Sequence, residues 1–448
     1  MTATYFDSVT SKGACDRRRT ASESTSATTS LAVLGHVPTS SWDESQLLAC
    51  RVFVSSCNDR NFLPIFAGIR PDPLARSLHK RLRAERPTST AARSDLSPEE
   101  RALLQLEKLC RGPRDTAIQT EHRHVWMEGN SLGQIWAALD LLRSQTAATR
   151  TTRIHDPYSS PLSLPPSSPP VSVPNLPSSP PALQPRPVAL LHPHSSPVTR
   201  TMSGRVSKPP SRPGFTPSFE EALSSSPPSS SSMSAAHSNY VGEEEASADD
   251  AQYPEVLTVR FVSAFLRYAL PWLPGQDDAS ADAFVAFSDR PAVRNTFQLG
   301  SYGFASLDDG GLDMVIFGKP TGRVAILEAK RKMGRAVDGK PLLSDGYLGQ
   351  MVGEALAARL EHDAWKGPND CIIVILAARH YIRFLQVKIS DDYVAQLKER
   401  SYDDKAPFTE YICVTATRWF DLHQADDRCE TILNLATIVK LAHDRYEG

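Results

Sequence analysis

Two acids and an amine stand at the polar ends of two apolar runs, Gly311–Phe317 and Arg323–Lys330, with Gly318, Pro320 and Gly322 between them. Apolar runs flanking Gly and Pro read as strand, turn and strand. Centring the turn between Pro320 and Thr321 sets Asp313 opposite Glu328, Val315 opposite Ile326 and Phe317 opposite Val324. Opposed side chains on one sheet face lie ~5 Å apart at Cβ, and two carboxylates that close repel unless a positive charge sits between them. Mg²⁺ suits that role, because it takes oxygen ligands and keeps positions for water and phosphate. Lys330 lies two residues beyond Glu328, so the strand period aims it at the same face. An ammonium there can orient an attacking water and stabilise charge developing on a phosphodiester.

Both runs are apolar on both faces, with Met314, Ile316, Ala325 and Leu327 alternating with Val315, Phe317, Val324 and Ile326. That pattern places them centrally in a sheet. An acid in such a strand is costly unless something compensates it, which favours a working site over a surface salt bridge.

The pattern Asp313…Glu328-Ala329-Lys330 resembles the PD-(D/E)xK nuclease superfamily, the restriction-endonuclease-like fold, over about residues 250–448. The resemblance implies that Asp313, Glu328 and the carbonyl of Ala329 hold Mg²⁺ or Mn²⁺ while Lys330 supports the water. It also implies that Gln350, on the next helix, reaches the site. Glu354 follows one turn later on the same helix face, and Glu255 is the candidate for a helical acid joining the cluster. Leu312 stands where the motif has proline. Arg331 and Lys332, with Arg335 and Lys340 behind them, are candidate phosphate-backbone contacts, and Arg290 and Arg294 are candidates for the opposite wall. Fungal proteins carrying such a domain after a long disordered region are similar in arrangement. The expected function is Mg²⁺-dependent hydrolysis of nucleic acid. The alternative is a catalytically inactive module of the same fold that binds protein or nucleic acid.

The elements around the hairpin support an α/β domain over 251–448, a mixed β-sheet flanked by helices. Pro254 and Glu255 open a helix striped by Val259, Val262, Phe265 and Leu266. Strands are expected at Ala283–Phe287, Asn295–Leu299, Ile372–Leu376, Tyr381–Ile389 and Tyr411–Thr415. Helices are expected at Leu343–Trp365, from Asp391 to about Arg400, and at Thr431–His443.

The rest of the chain divides by composition. Of 35 prolines, 20 fall within the 77 residues from Pro157 to Met233. So much Pro and Ser buries too little apolar surface to order a backbone, so 146–250 reads as a disordered linker and a possible protein-docking segment. Residues 1–41 carry no periodicity and are expected to be disordered. Residues 42–145 are expected to be weakly ordered, with a helix begun by Ser97-Pro98-Glu99-Glu100 and another from Ser131 to Ser144. The Trp136 helix is expected to pack locally, the alternative being a partner-binding face.

Charge is close to balanced, with 49 Lys plus Arg against 51 Asp plus Glu, so no basic footprint marks the whole chain. Seven cysteines without a Cys-x-x-Cys pair fit neither a disulfide framework nor a zinc knuckle. The N-terminus lacks a secretory pattern and the longest apolar run, Cys371–Ala378, is too short to span a bilayer. A nuclear or cytoplasmic location without membrane association is therefore expected. Phosphate-binding loops of the Gly-x-x-x-x-Gly-Lys-Ser/Thr kind and a Gly-x-Ser-x-Gly elbow are missing, and His122-x-His124 has no further ligands nearby.

Overall fold

Strands apolar on both faces need helices on both sides, and the chain supplies them from its two ends. The computed structural model describes residues 3–23, 37–55, 61–69, 72–84, 96–113, 119–152, 255–276, 282–295, 303–330, 336–337, 340–361, 370–402 and 406–447. All of these belong to one unit formed by 1–152 and 216–448. In chain order the helices are α1 (Tyr5–Ser8), α2 (Lys12–Glu23), α3 (Glu44–Ala49), α4 (Asp72–Arg83), α5 (Pro98–Arg111), α6 (Glu121–Glu128), α7 (Asn130–Thr152), α8 (Glu255–Ala269), α9 (Asp345–Leu360), α10 (Asp391–Tyr402) and α11 (Ala425–Glu447). The strands are β1 (Val52–Val54), β2 (Ala283–Ser288), β3 (Val293–Asn295), β4 (Ala305–Leu307), β5 (Gly311–Ile316), β6 (Lys319–Lys330), β7 (Ala336–Val337), β8 (Lys340–Pro341), β9 (Cys371–Ala378), β10 (Tyr381–Lys388), β11 (Ile412–Ala416) and β12 (Phe420–Asp421).

The main sheet runs β1-β11-β10-β9-β6-β5-β2, with β12 alongside β10. β6 and β9 pair in parallel, as do β1 and β11, while the other pairs are antiparallel. The parallel step from β6 to β9 requires a crossover, and α9 provides it. The mixed sheet flanked by helices is the α/β architecture expected for the C-terminal half.

Alternation along β6 and β9 sorts the core. Leu327, Ala329, Ile373, Ile375 and Ala377 face α8 and α11, packing with Phe261, Phe265 and Ile432. Ile326, Ile372, Val374 and Leu376 face α9, packing with Leu348, Met351, Val352 and Ala355. Glu328 and Lys330 share the parity of Ile326, so they too point toward α9.

The N-terminal 150 residues depart most from expectation. Residues 3–23, expected to be disordered, form α1 and α2, and Tyr5 and Phe6 are buried in the α9-side core. The Tyr5 hydroxyl donates to the Val52 carbonyl at 2.6 Å, and its backbone N–H donates to Asp345 at 2.6 Å. Residues 42–145 supply the edge strand β1 and cover the opposite core with α5 and α7. Trp136 lies inside that core rather than on a partner-binding face. Except for the last turns of α7, the expected linker lies outside the described residues.

The N-terminal segment also presses against the helix that faces the site. A Cβ on Gly349 would lie 2.8 Å from the Trp42 carbonyl oxygen, and one on Gly353 would lie 2.5 Å from Thr39 Cγ2. Two glycines one turn apart thus let the Thr39–Trp42 backbone reach α9. Gly353→Ala should destabilise the protein by about 1–3 kcal/mol through overpacking. Urea unfolding monitored by Trp fluorescence will show this as a lower midpoint with an unchanged slope.

Candidate active site

The β5–β6 connection is a two-residue turn, Phe317–Gly318, with both residues at positive φ (49° and 73°). Ile316 pairs with Lys319, and two register shifts follow, so Asp313 faces Arg323 rather than Glu328. This corrects the expected hairpin register. The Pro- and Gly-containing stretch expected to form the turn instead begins β6, because the tight turn matches the strand twist and closes earlier.

The shift gives Asp313 a structural role. Its carboxylate lies 2.6 Å from Arg323 Nε, and Arg323 also reaches the buried Asp308 at 3.2 Å. Asp308 is in turn 2.9 Å from Arg294. Arg294, a candidate phosphate contact, is therefore a buried ion-pair partner, and Asp313 belongs to the same network. Asp313 is not among the grouped acids near Glu328, and its expected metal-ligand role is corrected accordingly.

Beyond Gly311 the chain stays hydrogen-bonded to β6 and carries Asp309 to the Glu328 end of that strand. The Asp309 N–H donates to the Leu327 carbonyl at 3.1 Å, and the Asp309 carboxylate accepts from the Ala329 N–H at 2.8 Å. Among the described residues, Glu255, Asp309 and Glu328 can each present an oxygen such that all three lie within 4.8 Å of one another. Glu255 enters from the first turn of α8, a helix tied to the strand end by Thr258 Oγ1 donating to the Lys330 carbonyl at 3.3 Å. An extended residue presents its N–H and C=O to the same edge, so the Ala329 carbonyl faces the Asp309 side.

A buried polar network backs these acids. Glu328 and Glu354 are fully buried, and Lys330 and Gln350 are nearly so. Lys330 Nζ contacts Glu328 directly and donates to Gln350 Oε1 at 2.7 Å. Gln350 Nε2 donates to Glu328 at 2.7 Å and to Glu354 at 2.8 Å. Each end of the amide therefore has a fixed job: its oxygen meets the ammonium and its nitrogen bridges the acids. Ser344 caps α9, and the spacing of four puts Gln350 and Glu354 on one face.

Burial dominates the electrostatics. It pushes Glu354 up to about 8, against the pull of Lys330 and the Gln350 hydrogen bond. Burial also lifts Asp309 to about 6, opposed by the Ala329 N–H and Lys330 and reinforced by Glu255 and Asp308. Glu328 is raised by burial and then by Glu354, with Lys330 pulling back. For Lys330 burial acts downward, but Glu328 overcomes it and the net shift is up. Lys330 touches Glu328, whereas Glu354 is joined to Gln350, so the ion pair is Glu328–Lys330.

Whether the residues fit a divalent cation can be judged from their unmet needs. Glu328 Oε2 and Glu354 Oε2 are buried without a hydrogen-bond partner, a costly state that bound metal or water relieves. The oxygen-only grouping of Glu255, Asp309 and Glu328 suits Mg²⁺ or Mn²⁺. The fit is good. It also carries a pH signature. In the metal-free protein, Asp309 and Glu354 hold protons that the unfolded chain releases near pH 4, so stability falls as pH rises toward about 8. A bound Mn²⁺ would replace those protons, so the thermal midpoint shift it causes should be near zero at about pH 5.5 and grow toward pH 8.5. At 100-fold excess over Kd it should reach about 2.7 kcal/mol. A thermal-shift series across pH checks this, and Glu354→Gln should flatten the upper part of the metal-free decline.

The remaining candidates sort simply. Arg331 and Lys332 lie outside the described residues, as does Arg335, and nothing is shown of the Lys340 side chain. Arg290 is exposed, and its carbonyl accepts from Arg323. His124 is buried 2.7 Å from Asp140, while His122 points to solvent, so the two do not share a site. A cleft of about 590 Å³ along the outer face of α8, bounded by Val256, Arg260, Tyr268 and Trp272, includes none of the acids described above. Asp309 was missed by sequence reasoning. The available signal was the Asp308-Asp309-Gly310-Gly311 step into β5, once the turn is taken at Phe317–Gly318.

No family model, curated protein or solved structure matches the chain.

Proposed function

We propose that this protein is a metal-dependent nuclease of the PD-(D/E)xK kind, hydrolysing phosphodiesters of nucleic acid. The observation that supports the reading best is the convergence of Glu255, Asp309 and Glu328 beside a buried lysine held by Gln350. Asp309 takes the place the motif gives to its first acid. Glu255, Asp309, Glu328 and the Ala329 carbonyl would hold the divalent ion, which when bound supplies Lewis-acid polarisation of the phosphate and a more acidic water.

The chain's own groups do the rest. Lys330 donates a hydrogen bond to the attacking water or to a non-bridging phosphate oxygen and offsets the charge that builds there. Gln350 keeps the ammonium turned toward Glu328 rather than free to rotate. Glu354, protonated near neutral pH, leaves the pocket one negative charge fewer and gives up that proton as a cation enters.

The test is hydrolysis of single- and double-stranded DNA and of RNA, with Mg²⁺, with Mn²⁺ and with chelator. Cleavage that needs metal and falls by about 10²-fold or more in Lys330→Ala supports the reading. Metal-independent cleavage, or Lys330→Ala matching wild type, removes it. A wild-type protein without hydrolysis on any of these substrates also removes it.

A further inference from the structure

A second group of potential ligands lies away from the acids, where the β9–β10 turn meets the β12–α11 junction. Arg379–His380 forms the turn between β9 and β10, and the Leu422 N–H donates to the His380 carbonyl at 2.9 Å. Tyr381 pairs with Asp421. The backbone thus holds His380 beside Asp421 and His423, with the two imidazole centroids 3.9 Å apart.

We infer that His380, Asp421 and His423 form a binding site for a divalent transition-metal ion, with Zn²⁺ the best fit. Among the described residues, one donor atom from each of the three can lie within 4.8 Å of the other two. His423 Nδ1 is 3.2 Å from Asp421 Oδ1, and His380 Nε2 is 3.7 Å from the same oxygen. Ligands on a tetrahedral Zn²⁺ with bonds of about 2.0–2.1 Å sit about 3.3 Å apart, so both distances to Asp421 are near the required span, and binding would swing the two stacked rings apart. Two imidazoles and one carboxylate select Zn²⁺ or Co²⁺ over Mg²⁺.

The His380 ring turns Nε2 toward Asp421. Its side chain is only 10% exposed, its Nδ1 is buried without a partner, and its Nε2 is too far from Asp421 for a hydrogen bond. A histidine buried only for packing normally has a hydrogen-bond partner. Asp421 and His423 keep about a quarter of their side-chain surface, which leaves an opening for a water as fourth ligand.

A metal here would pin the β9–β10 turn to the start of α11. It shares no residue with the acidic cluster, so it stands whether or not the protein is a nuclease.

The experiment uses untagged, full-length protein stripped with chelator and titrated with Co²⁺, then Zn²⁺. One equivalent of Co²⁺ should give tetrahedral visible absorption that Zn²⁺ abolishes. His423→Ala and Asp421→Asn should each weaken binding by at least the 10–100-fold typical of lost outer-shell partners, while Glu328→Gln keeps the spectrum. Zinc-edge X-ray absorption of the wild type alone should show a nitrogen and oxygen shell with imidazole scattering. No uptake by wild type, or a sulfur or imidazole-free shell, overturns the site. So does a spectrum unchanged in both variants.

Discussion

Asp309→Asn is expected to lower metal-dependent cleavage by about 10²–10⁴-fold, whereas Asp313→Asn should leave the turnover rate little changed. The asparagine oxygen can still accept from the Ala329 N–H, so the strand end keeps its shape while the pocket loses a charge. Asp313 belongs to the other class of acid. It is paired with Arg323, which is also held by Asp308, and its neutralisation weakens a buried ion network. The expected cost is about 1–3 kcal/mol of stability. Initial rates of both variants under saturating Mg²⁺, with urea unfolding of each, separate the two roles. The assignment fails if the asparagine at 313 stops cleavage and the one at 309 does not.

The fragment 251–448 is expected not to fold cooperatively alone, although its sequence contains the whole candidate site. Without β1, the β11 edge that pairs with Val52–Val54 would stand open. Without Trp42 and Thr39, Gly349 and Gly353 would leave a furrow along α9. On the other face Arg428, almost fully buried on α11, donates to the Leu109 and Cys110 carbonyls at 3.0 and 2.9 Å, satisfying the end of α5. Deleting α5 would uncover that guanidinium and the apolar surface around it. In the full chain, Trp42→Ala alone should cost about 3–5 kcal/mol. Calorimetry of the fragment and of the Trp42 variant checks both expectations. A sharp transition in the fragment, at the midpoint of the full chain, would show that the N-terminal half is dispensable for folding.

Sequence alone determined which strands are central and that Glu328 and Lys330 share one face of β6. Residues Val324–Lys330 are apolar on both sides except at two positions of one parity, and parity cannot be altered by what surrounds the strand. Gln350 and Glu354 were legible for a similar reason, since a spacing of four fixes a common helix face. Local signals also marked α5, through its capping box, and α8, through its apolar stripe.

Tertiary structure decided which acid meets Glu328. Several turns fit the residues from Phe317 to Gly322, and each gives a different partner. The turn at Phe317–Gly318 and the bulges that follow it set Arg323 beside Asp313 and Asp308, contacts that the period-two pattern of the two strands does not encode. The fate of the first 150 residues was hidden for a related reason. A three-residue strand and a Trp seated on two glycines have no periodicity, and their stabilisation comes from surfaces that exist only once the other half of the chain has folded.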